Sequence, residues 1–224
     1  MSLPPTSRRR LTRAVVPGLA AAGLAVLATL LVVTHAERTA ETAAAGATPQ
    51  GCVIPAPPGL GGPIALTGGQ GQAVTEAAFA GRPTLVYFGF THCPDICPTS
   101  MYLVHDALTA MGPAGTGVQT ALITLDPERD DPATLAAYAA SEGFPAGLVG
   151  LSGSPEAVNA AISAFGVVAQ RAPLEGGEYN VNHTSFLYVM DANWRMRGVV
   201  TTIGKTPQEI ASCVQQALSA DEAS

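Results

Sequence analysis

Residues 84–98 read Thr-Leu-Val-Tyr-Phe-Gly-Phe-Thr-His-Cys-Pro-Asp-Ile-Cys-Pro. The first seven form a continuous apolar run, which is typical of a central strand covered on both faces. After it, Cys93 and Cys97 each stand directly before a proline. A residue before proline disfavours helical angles, whereas Pro98 suits the first position of a helix. The stretch therefore predicts a buried strand, a turn holding both thiols, and a helix that begins at Pro98.

Strand and helix patterns alternate through the rest of the chain. A hairpin is predicted at 64–74, further strands at 118–125, 149–151, 184–190 and 197–201, and further helices at 132–141, 155–165 and 207–218. Alternation of this kind, closed by a hairpin and a helix, predicts an α/β fold: a thioredoxin-like sandwich with a central mixed sheet flanked by helices. We expect this domain to span residues 61–220, with 221–224 as a short tail.

An uncharged apolar stretch runs from Ala14 to Thr34. As a helix it would be about 31 Å long, enough to cross a bilayer. Four of the eleven basic residues precede it, at 8, 9, 10 and 13, with no acidic residue among them. This charge pattern predicts a cytoplasmic segment at 1–13, a single transmembrane anchor at 14–34 in the inner or plasma membrane, and a domain on the exported, periplasmic or extracytoplasmic side.

Two other interpretations of the N-terminal region stay open. Thr34-His35-Ala36 resembles the cleavage site of a signal peptide, and Ser7-Arg8-Arg9 weakly resembles a twin-arginine signal. Both would also export the domain. The length of the apolar stretch favours an uncleaved anchor, because it exceeds the core of about 7–15 residues usual in signal peptides.

Residues 35–60 contain few bulky apolar side chains. Such a segment cannot bury enough surface to fold alone, so it predicts a flexible linker between membrane and domain. All seventeen acidic residues follow the basic N-terminus. An acidic body of this kind argues against binding to nucleic acid.

Cys93 and Cys97 are placed for thiol chemistry. A thiol at the start of a helix lies near the positive end of the helix dipole, which stabilises the thiolate that binds metals and attacks disulfides. The alternative is a permanent structural disulfide between them, which an oxidising compartment would allow. The end of a strand that leads into a helix is, however, where α/β folds place active sites, which favours a functional pair.

Three segments resemble the signatures of the Sco/SenC family. They are Phe88 to Thr99, Leu125 to Asp130 (Leu-Asp-Pro-Glu-Arg-Asp), and Val181 to Ser185 (Val-Asn-His-Thr-Ser). The resemblance implies a membrane-tethered, thioredoxin-like copper protein that serves assembly of the dinuclear copper centre of cytochrome c oxidase. By position it implies one copper ion, Cu(I) or Cu(II), per domain, bound by Cys93, Cys97 and His183. The implied partners are the copper-site subunit of the oxidase and a protein that donates copper.

The chemistry of these ligands is consistent with copper. Cu(I) is soft and prefers thiolates, and two thiolates with one imidazole suit its low coordination number. Structural zinc normally takes a fourth protein ligand, which the sequence does not offer. His92 follows a strand end and is expected to point away from the thiols. His105 lies about 12 Å along the predicted helix from Cys97, too far to join them.

Two carboxylates near the predicted site each allow more than one interpretation. Asp126 ends a predicted strand parallel to the one before the thiols, so it could orient His183 or shape the surface from which copper is released. It could equally cap the turn before Pro127. Asp95, between the cysteines, could tune the copper charge or recognise a partner, or it could be a solvated turn residue.

The remaining cysteines, Cys52 and Cys213, lie outside the resembling segments. Their even number and the oxidising compartment suggest a disulfide that ties the linker to the last helix. Two separate thiols are the alternative.

The sequence thus favours a copper metallochaperone that exchanges ligands with a partner and performs no turnover chemistry. The alternative is an enzyme, a dedicated thiol-disulfide oxidoreductase that uses Cys93 and Cys97 to reduce the cysteines of the oxidase copper site. The three-residue spacing between the thiols differs from the two-residue spacing of thioredoxin motifs, which argues against a general reductase.

Overall fold

Thr84–Gly89 forms the central strand that the sequence predicted, and all six of its residues are buried. The computed structural model describes residues 52–219, and its strands are β1 (Ala65–Gly68), β2 (Ala73–Thr75), β3 (Thr84–Gly89), β4 (Gln119–Thr124), β5 (Val149–Ser152), β6 (Ala169–Pro173), β7 (Tyr179–His183), β8 (Phe186–Met190) and β9 (Met196–Thr201). Seven of them form one sheet of order β2-β1-β5-β4-β3-β8-β9. The other two, β6 and β7, pair only with each other.

The seven-stranded sheet is mixed. Strand β4 pairs in parallel with β3 and β5, whereas β8 is antiparallel to β3, and β1 is antiparallel to β5. The helices are α1 (Ile96–Ala110), α2 (Pro113–Thr116), α3 (Pro132–Ala139), α4 (Pro155–Phe165) and α5 (Pro207–Ser219). A central mixed sheet flanked by helices confirms the predicted α/β fold.

Neighbouring residues of β3 face opposite sides of the sheet, as the pleat of a strand requires. The Tyr87 hydroxyl donates to Ser100 Oγ of α1 at 3.4 Å. The Phe88 ring instead packs on Phe165 of α4, with ring centroids 5.3 Å apart. Helices α1 and α4 therefore cover opposite faces, and this accounts for the unbroken apolar pattern of the strand.

Helix α1 begins at Ile96, two residues before the predicted start at Pro98. Cys97 is therefore helical although it precedes a proline, contrary to the prediction. Pro98 is tolerated as the third helical residue because the first N–H groups of a helix have no partner within it. The earlier start places Cys97 in the first turn of the helix.

Residues 52–60 differ from the flexible linker predicted at 35–60. Cys52 and Cys213 are joined in a disulfide, with Cα atoms 5.7 Å apart and a sequence separation of 161. Ile54 exchanges two backbone hydrogen bonds of 2.9 Å with Val199 of β9. The last part of the predicted linker is thus bound to the domain, which includes residues from Cys52 onward.

Several predictions fall on residues that the structure does not describe. They are the cytoplasmic segment at 1–13, the anchor at 14–34, the first part of the linker, and the tail at 221–224. Within residues 52–219, no helix combines the length and apolar character needed to cross a membrane.

The β6–β7 hairpin was not predicted. The sequence indicated a strand at 184–190 with His183 just before it, whereas β8 begins at Phe186 and His183 is the last residue of β7. Strand β6 is largely exposed and includes polar residues and a proline, so it lacks the apolar alternation by which strands are recognised.

Candidate metal centre

Cys93, Cys97 and His183 meet at the carboxyl end of β3. Cys93 lies in the loop after this strand, Cys97 in the first turn of α1, and His183 at the end of β7. One ligand atom from each residue lies within 4.8 Å of the other two. Within residues 52–219, no other group of three or more His, Cys, Asp or Glu side chains approaches in this way. Two sulfurs and one nitrogen thus form a single cluster.

The two thiols are free and differ in charge. The backbone N–H of Cys97, one of the unpaired donors of the first helical turn, donates to Cys93 Sγ at 3.3 Å. A hydrogen bond from the Cys97 thiol, with others from backbone N–H groups, lowers the pKa of Cys93 to about 4. The same bond to Cys93, together with burial, raises the pKa of Cys97. Cys93 is therefore a thiolate at neutral pH, and Cys97 carries the proton.

His183 presents a free nitrogen lone pair to the thiols. Its Nδ1 lies 3.0 Å from the carbonyl oxygen of Thr184, which can only accept a hydrogen bond, so Nδ1 carries the proton. In the neutral ring Nε2 is then unprotonated, and it lies 3.5 Å from Cys97 Sγ. Tyr87 and Phe90 contact the imidazole edge-on, at centroid distances of 6.3 and 5.9 Å. A backbone carbonyl that fixes the tautomer is the usual support of a metal-binding histidine.

This donor set fits a soft metal ion of low coordination number. Thiolates bind Cu(I) in preference to hard cations, and an imidazole nitrogen completes a three-coordinate site. A structural zinc site would require a fourth protein ligand. Cys97 is fully buried, whereas Cys93 and His183 are half-buried, so the site opens to solvent on the side of the latter two.

Gly89 makes room for Cys97. A Cβ atom at this position would lie 3.2 Å from Cys97 Sγ and 3.0 Å from Cε1 of Tyr87, closer than ordinary contacts allow. Glycine as the last residue of β3 therefore leaves room for the buried sulfur, against which a Cβ atom would press.

The other histidines expected to lie apart from the ligands do so. His92 is exposed, with Nδ1 3.0 Å from Thr91 Oγ1 and 3.8 Å from Asp130 Oδ1. His105 Nδ1 lies 3.1 Å from the Phe144 carbonyl oxygen. Asp95 is exposed and accepts from Thr99 Oγ1 at 3.3 Å. None of the three belongs to the cluster around the two sulfurs.

Asp126 contacts the strand that carries His183, and not the histidine itself. Its side chain is fully buried and accepts a 2.7 Å hydrogen bond from the Tyr179 hydroxyl at the start of β7. Arg129 pairs with its other carboxylate oxygen. Of the three roles considered for Asp126, the first, orientation of His183, is not supported by a direct hydrogen bond among these contacts.

Asp130 supports the thiol-bearing loop, a role that the sequence reasoning did not assign. It is fully buried and accepts from the Thr91 N–H at 3.0 Å, the Thr91 hydroxyl at 2.5 Å and the Thr124 hydroxyl at 2.7 Å. These bonds tie the loop before Cys93 to the end of β4. An acidic residue shortly after a strand is a weak signal, because exposed turns carry the same residue types.

The fold and the site together define a class: a thioredoxin-like domain in which a helix-start thiol pair and a distant histidine form a metal site. The SCO1/SenC family model matches residues 55–219. The chain therefore belongs to the SCO1/SenC family.

Solved and curated relatives agree. The structure of Bradyrhizobium japonicum ScoI with copper bound is 40% identical, with a TM-score of 0.62, covering 71% of this chain and 99% of that one. Yeast Sco1 with copper bound is 30% identical, with a TM-score of 0.64, covering 71% and 88%. The mitochondrial SCO1 homolog 1 of Arabidopsis thaliana is 36% identical over 132 residues, 58% of this chain and 39% of that protein. The chain thus spans less than half the length of this curated relative.

Proposed function

We propose that this protein carries copper and delivers it to the dinuclear copper centre of cytochrome c oxidase. The observation that supports this most directly is the cluster of two thiols and one imidazole nitrogen at the start of α1. The oxidase as destination rests on membership of the SCO1/SenC family and on the role that its signature segments imply. The copper-site subunit would receive the ion, and a separate donor protein would supply it.

The protonation of the site suggests how loading proceeds. Cys93 offers a thiolate without prior loss of a proton, whereas Cys97 is protonated before loading. Copper ligation by Cys97 would therefore release about one proton per ion. Because Cys93 and His183 form the open side, ligands of a partner would replace these two before the buried Cys97.

We further propose that residues 14–34 anchor the protein in the inner or plasma membrane, with the copper domain on the exported side. The uncharged apolar stretch and the arginines before it support this topology. An anchor of this kind would hold the carrier near a membrane-bound oxidase.

Anaerobic titration of the reduced full chain with Cu(I), in a mild detergent and against a competing chelator, tests copper binding. We expect one ion per chain, loss of high affinity in Cys93→Ser and Cys97→Ser, and weaker binding in His183→Ala. A lack of stoichiometric binding, or unchanged affinity in His183→Ala, would contradict the proposal.

A second function is favoured by the thiolate of Cys93, which is half-exposed and lies beside a second thiol. As a reductase, Cys93 Sγ would attack a disulfide of the partner and release one partner thiolate. Cys97 would then lose its proton, and its sulfur would attack Cys93 Sγ and release the second thiolate. The partner would gain two electrons, and the carrier would retain a disulfide between Cys93 and Cys97.

A single-turnover reaction separates the two functions. The reduced chain, with and without bound Cu(I), is mixed in one reaction with an oxidised peptide that carries the cysteines of the oxidase copper site, and in a second reaction with the same peptide already reduced. Rapid reduction by the metal-free chain alone would support the reductase. Transfer of Cu(I) to the reduced peptide without oxidation of Cys93 would support the carrier.

A further inference from the structure

Strand β7 crosses the carboxyl ends of two strands of the main sheet. Its first residue, Tyr179, contacts Asp126 just after β4, and its last, His183, lies beside Cys97 after β3. Alternate residues of a strand share one face, so Tyr179, Val181 and His183 all point towards the domain. Val181, between the other two, is 5% exposed and belongs to the hydrophobic core. The strand thus has three inward contacts, of which His183 is the last.

The side chain of Tyr179 is half-buried, yet both its hydroxyl and its ring contact charged groups of the domain. Its hydroxyl donates to Asp126 at 2.7 Å, and its ring lies against two guanidinium groups. The Cζ atoms of Arg129 and Arg171 are 3.8 and 4.6 Å from the ring centroid. Arg129 Nη1 also donates to the Tyr179 carbonyl oxygen at 3.1 Å. Side chain and backbone of Tyr179 are therefore both fixed to the domain.

Asp126, which accepts the hydrogen bond from the Tyr179 hydroxyl, is itself fixed to the main sheet. Asp126 is fully buried, and its backbone N–H donates to Thr124 Oγ1 at 2.9 Å, on the last residue of β4. Arg129 pairs with the same carboxylate. Tyr179 is consequently attached to the central sheet, although β6 and β7 do not pair with it.

We propose that Tyr179 is a positioning residue for the copper site, acting on His183 through the register of β7. A slip of one residue would turn every side chain of the strand to its other face and move His183 away from the thiols. In the part of the chain that the structure describes, β7 pairs only with β6, so its register against the main sheet depends on the inward contacts of Tyr179 and Val181 and on the short connection to β8. This inference rests on the proposed role of His183 in copper binding.

Two substitutions test the proposal by Cu(I) competition with a chelator, using the reduced full chain. Tyr179→Leu removes the hydroxyl and the ring, and we expect Cu(I) affinity to fall roughly 10- to 100-fold, the usual cost of losing a residue that supports a metal ligand. Tyr179→Phe keeps the ring against the two guanidinium groups and should lose less Cu(I) affinity. Tyr102→Leu, a matched change of an exposed tyrosine on α1, should leave the affinity unchanged.

A double-substitution cycle distinguishes positioning from general destabilisation. If Tyr179 acts through His183, Tyr179→Leu costs no further affinity once His183→Ala is present. An equal loss in both backgrounds would overturn the proposal, as would unchanged affinity in Tyr179→Leu. Wild-type chain that binds no Cu(I) would instead contradict the proposed function itself.

A metal-free measurement provides an independent readout. Backbone hydrogen exchange at residues 179–183 should quicken in Tyr179→Leu, while exchange in β3 and β4 stays as in the wild type. Unchanged exchange at residues 179–183 would contradict the proposed fixing of β7.

Discussion

The Nε2 atom of His183 lies 3.5 Å from the Sγ atom of Cys97, although 86 positions separate the two residues in the chain. The contact joins an isolated two-stranded hairpin to the first turn of α1. Both cysteines follow β3, whereas the Nε2 atom of His183 is positioned by β7. The affinity for the metal should therefore depend on how firmly both β3 and β7 are held.

Gly89→Ala should weaken copper binding and lower stability. The added Cβ would lie 3.2 Å from Cys97 Sγ and 3.3 Å from Leu122 Cδ1, so the sulfur or the core must move. Overpacking of this kind costs about 1–3 kcal/mol in the free energy of unfolding. Denaturant unfolding and Cu(I) competition check this. Gly153→Ala, where a Cβ meets only ordinary contacts of 3.5 Å or more, is the control and should change neither quantity.

The rate at which Cys93 is alkylated in the reduced, metal-free chain, relative to a model thiolate, should change little between pH 6 and pH 8. A lowered pKa means that the proton is lost at lower pH, so the thiolate fraction is complete at neutral pH and falls only as the pH approaches about 4. The rate with iodoacetamide, measured across the pH range and divided by the rate of a model thiolate, gives the midpoint, which is the pH at which half of Cys93 is ionised. Cys97→Ala removes the main hydrogen bond to Cys93 and should move the midpoint upward. A wild-type midpoint near the ordinary thiol value of about 8.5 would contradict the prediction.

Asp130→Ala should destabilise the loop that carries Cys93. It leaves the Thr91 N–H and the hydroxyls of Thr91 and Thr124 without their acceptor. Since a buried unpaired donor costs about 1–3 kcal/mol, we expect a loss of about 3 kcal/mol in the free energy of unfolding, with weaker Cu(I) binding.

The neighbouring Asp131 provides the control for this change. It is exposed and accepts a 2.7 Å hydrogen bond from Thr134 N–H at the start of α3. Asp131→Ala should cost only about 1 kcal/mol, as for other helix caps, and leave Cu(I) affinity unchanged. Equal effects of the two substitutions would refute a specific role of Asp130 in the loop.

Replacement of Cys52 and Cys213 by serine should lower stability without loss of the copper site. A disulfide that closes so long a loop contributes roughly 2–5 kcal/mol to the free energy of unfolding. Chemical unfolding of the full chain, with and without the substitutions, measures the difference. Thiol counting under denaturing, non-reducing conditions is the direct check, because Cys93→Ser with Cys97→Ser should leave no free thiol.

Local sequence patterns were sufficient to predict a strand at 84–90, where the structure has β3 at 84–89, and the thiol pair after it. The apolar run of β3 and the prolines beside the cysteines act over a few residues, so one stretch of sequence contains the whole signal. The start of α1 was placed two residues late, because proline at the third helical position satisfies the same rules as proline at the first.

The position of His183 could not be obtained from such patterns. It depends on the β6–β7 hairpin, whose strands are short and polar, and on contacts to residues far away in the sequence. Only resemblance to the family connected His183 to the thiols. The alternation of Tyr179, Val181 and His183 was the available signal for β7, and three residues are too few to distinguish it from a loop.

The disulfide at Cys52 also determines where the domain would bear tension. A pull on the chain before Cys52 would pass through the sulfur bridge into α5, which packs against α1, before it reached β1. The bridge would shield the edge strands of the sheet from such a load. Such a load would then enter the domain through two adjoining helices, one of which carries Cys97.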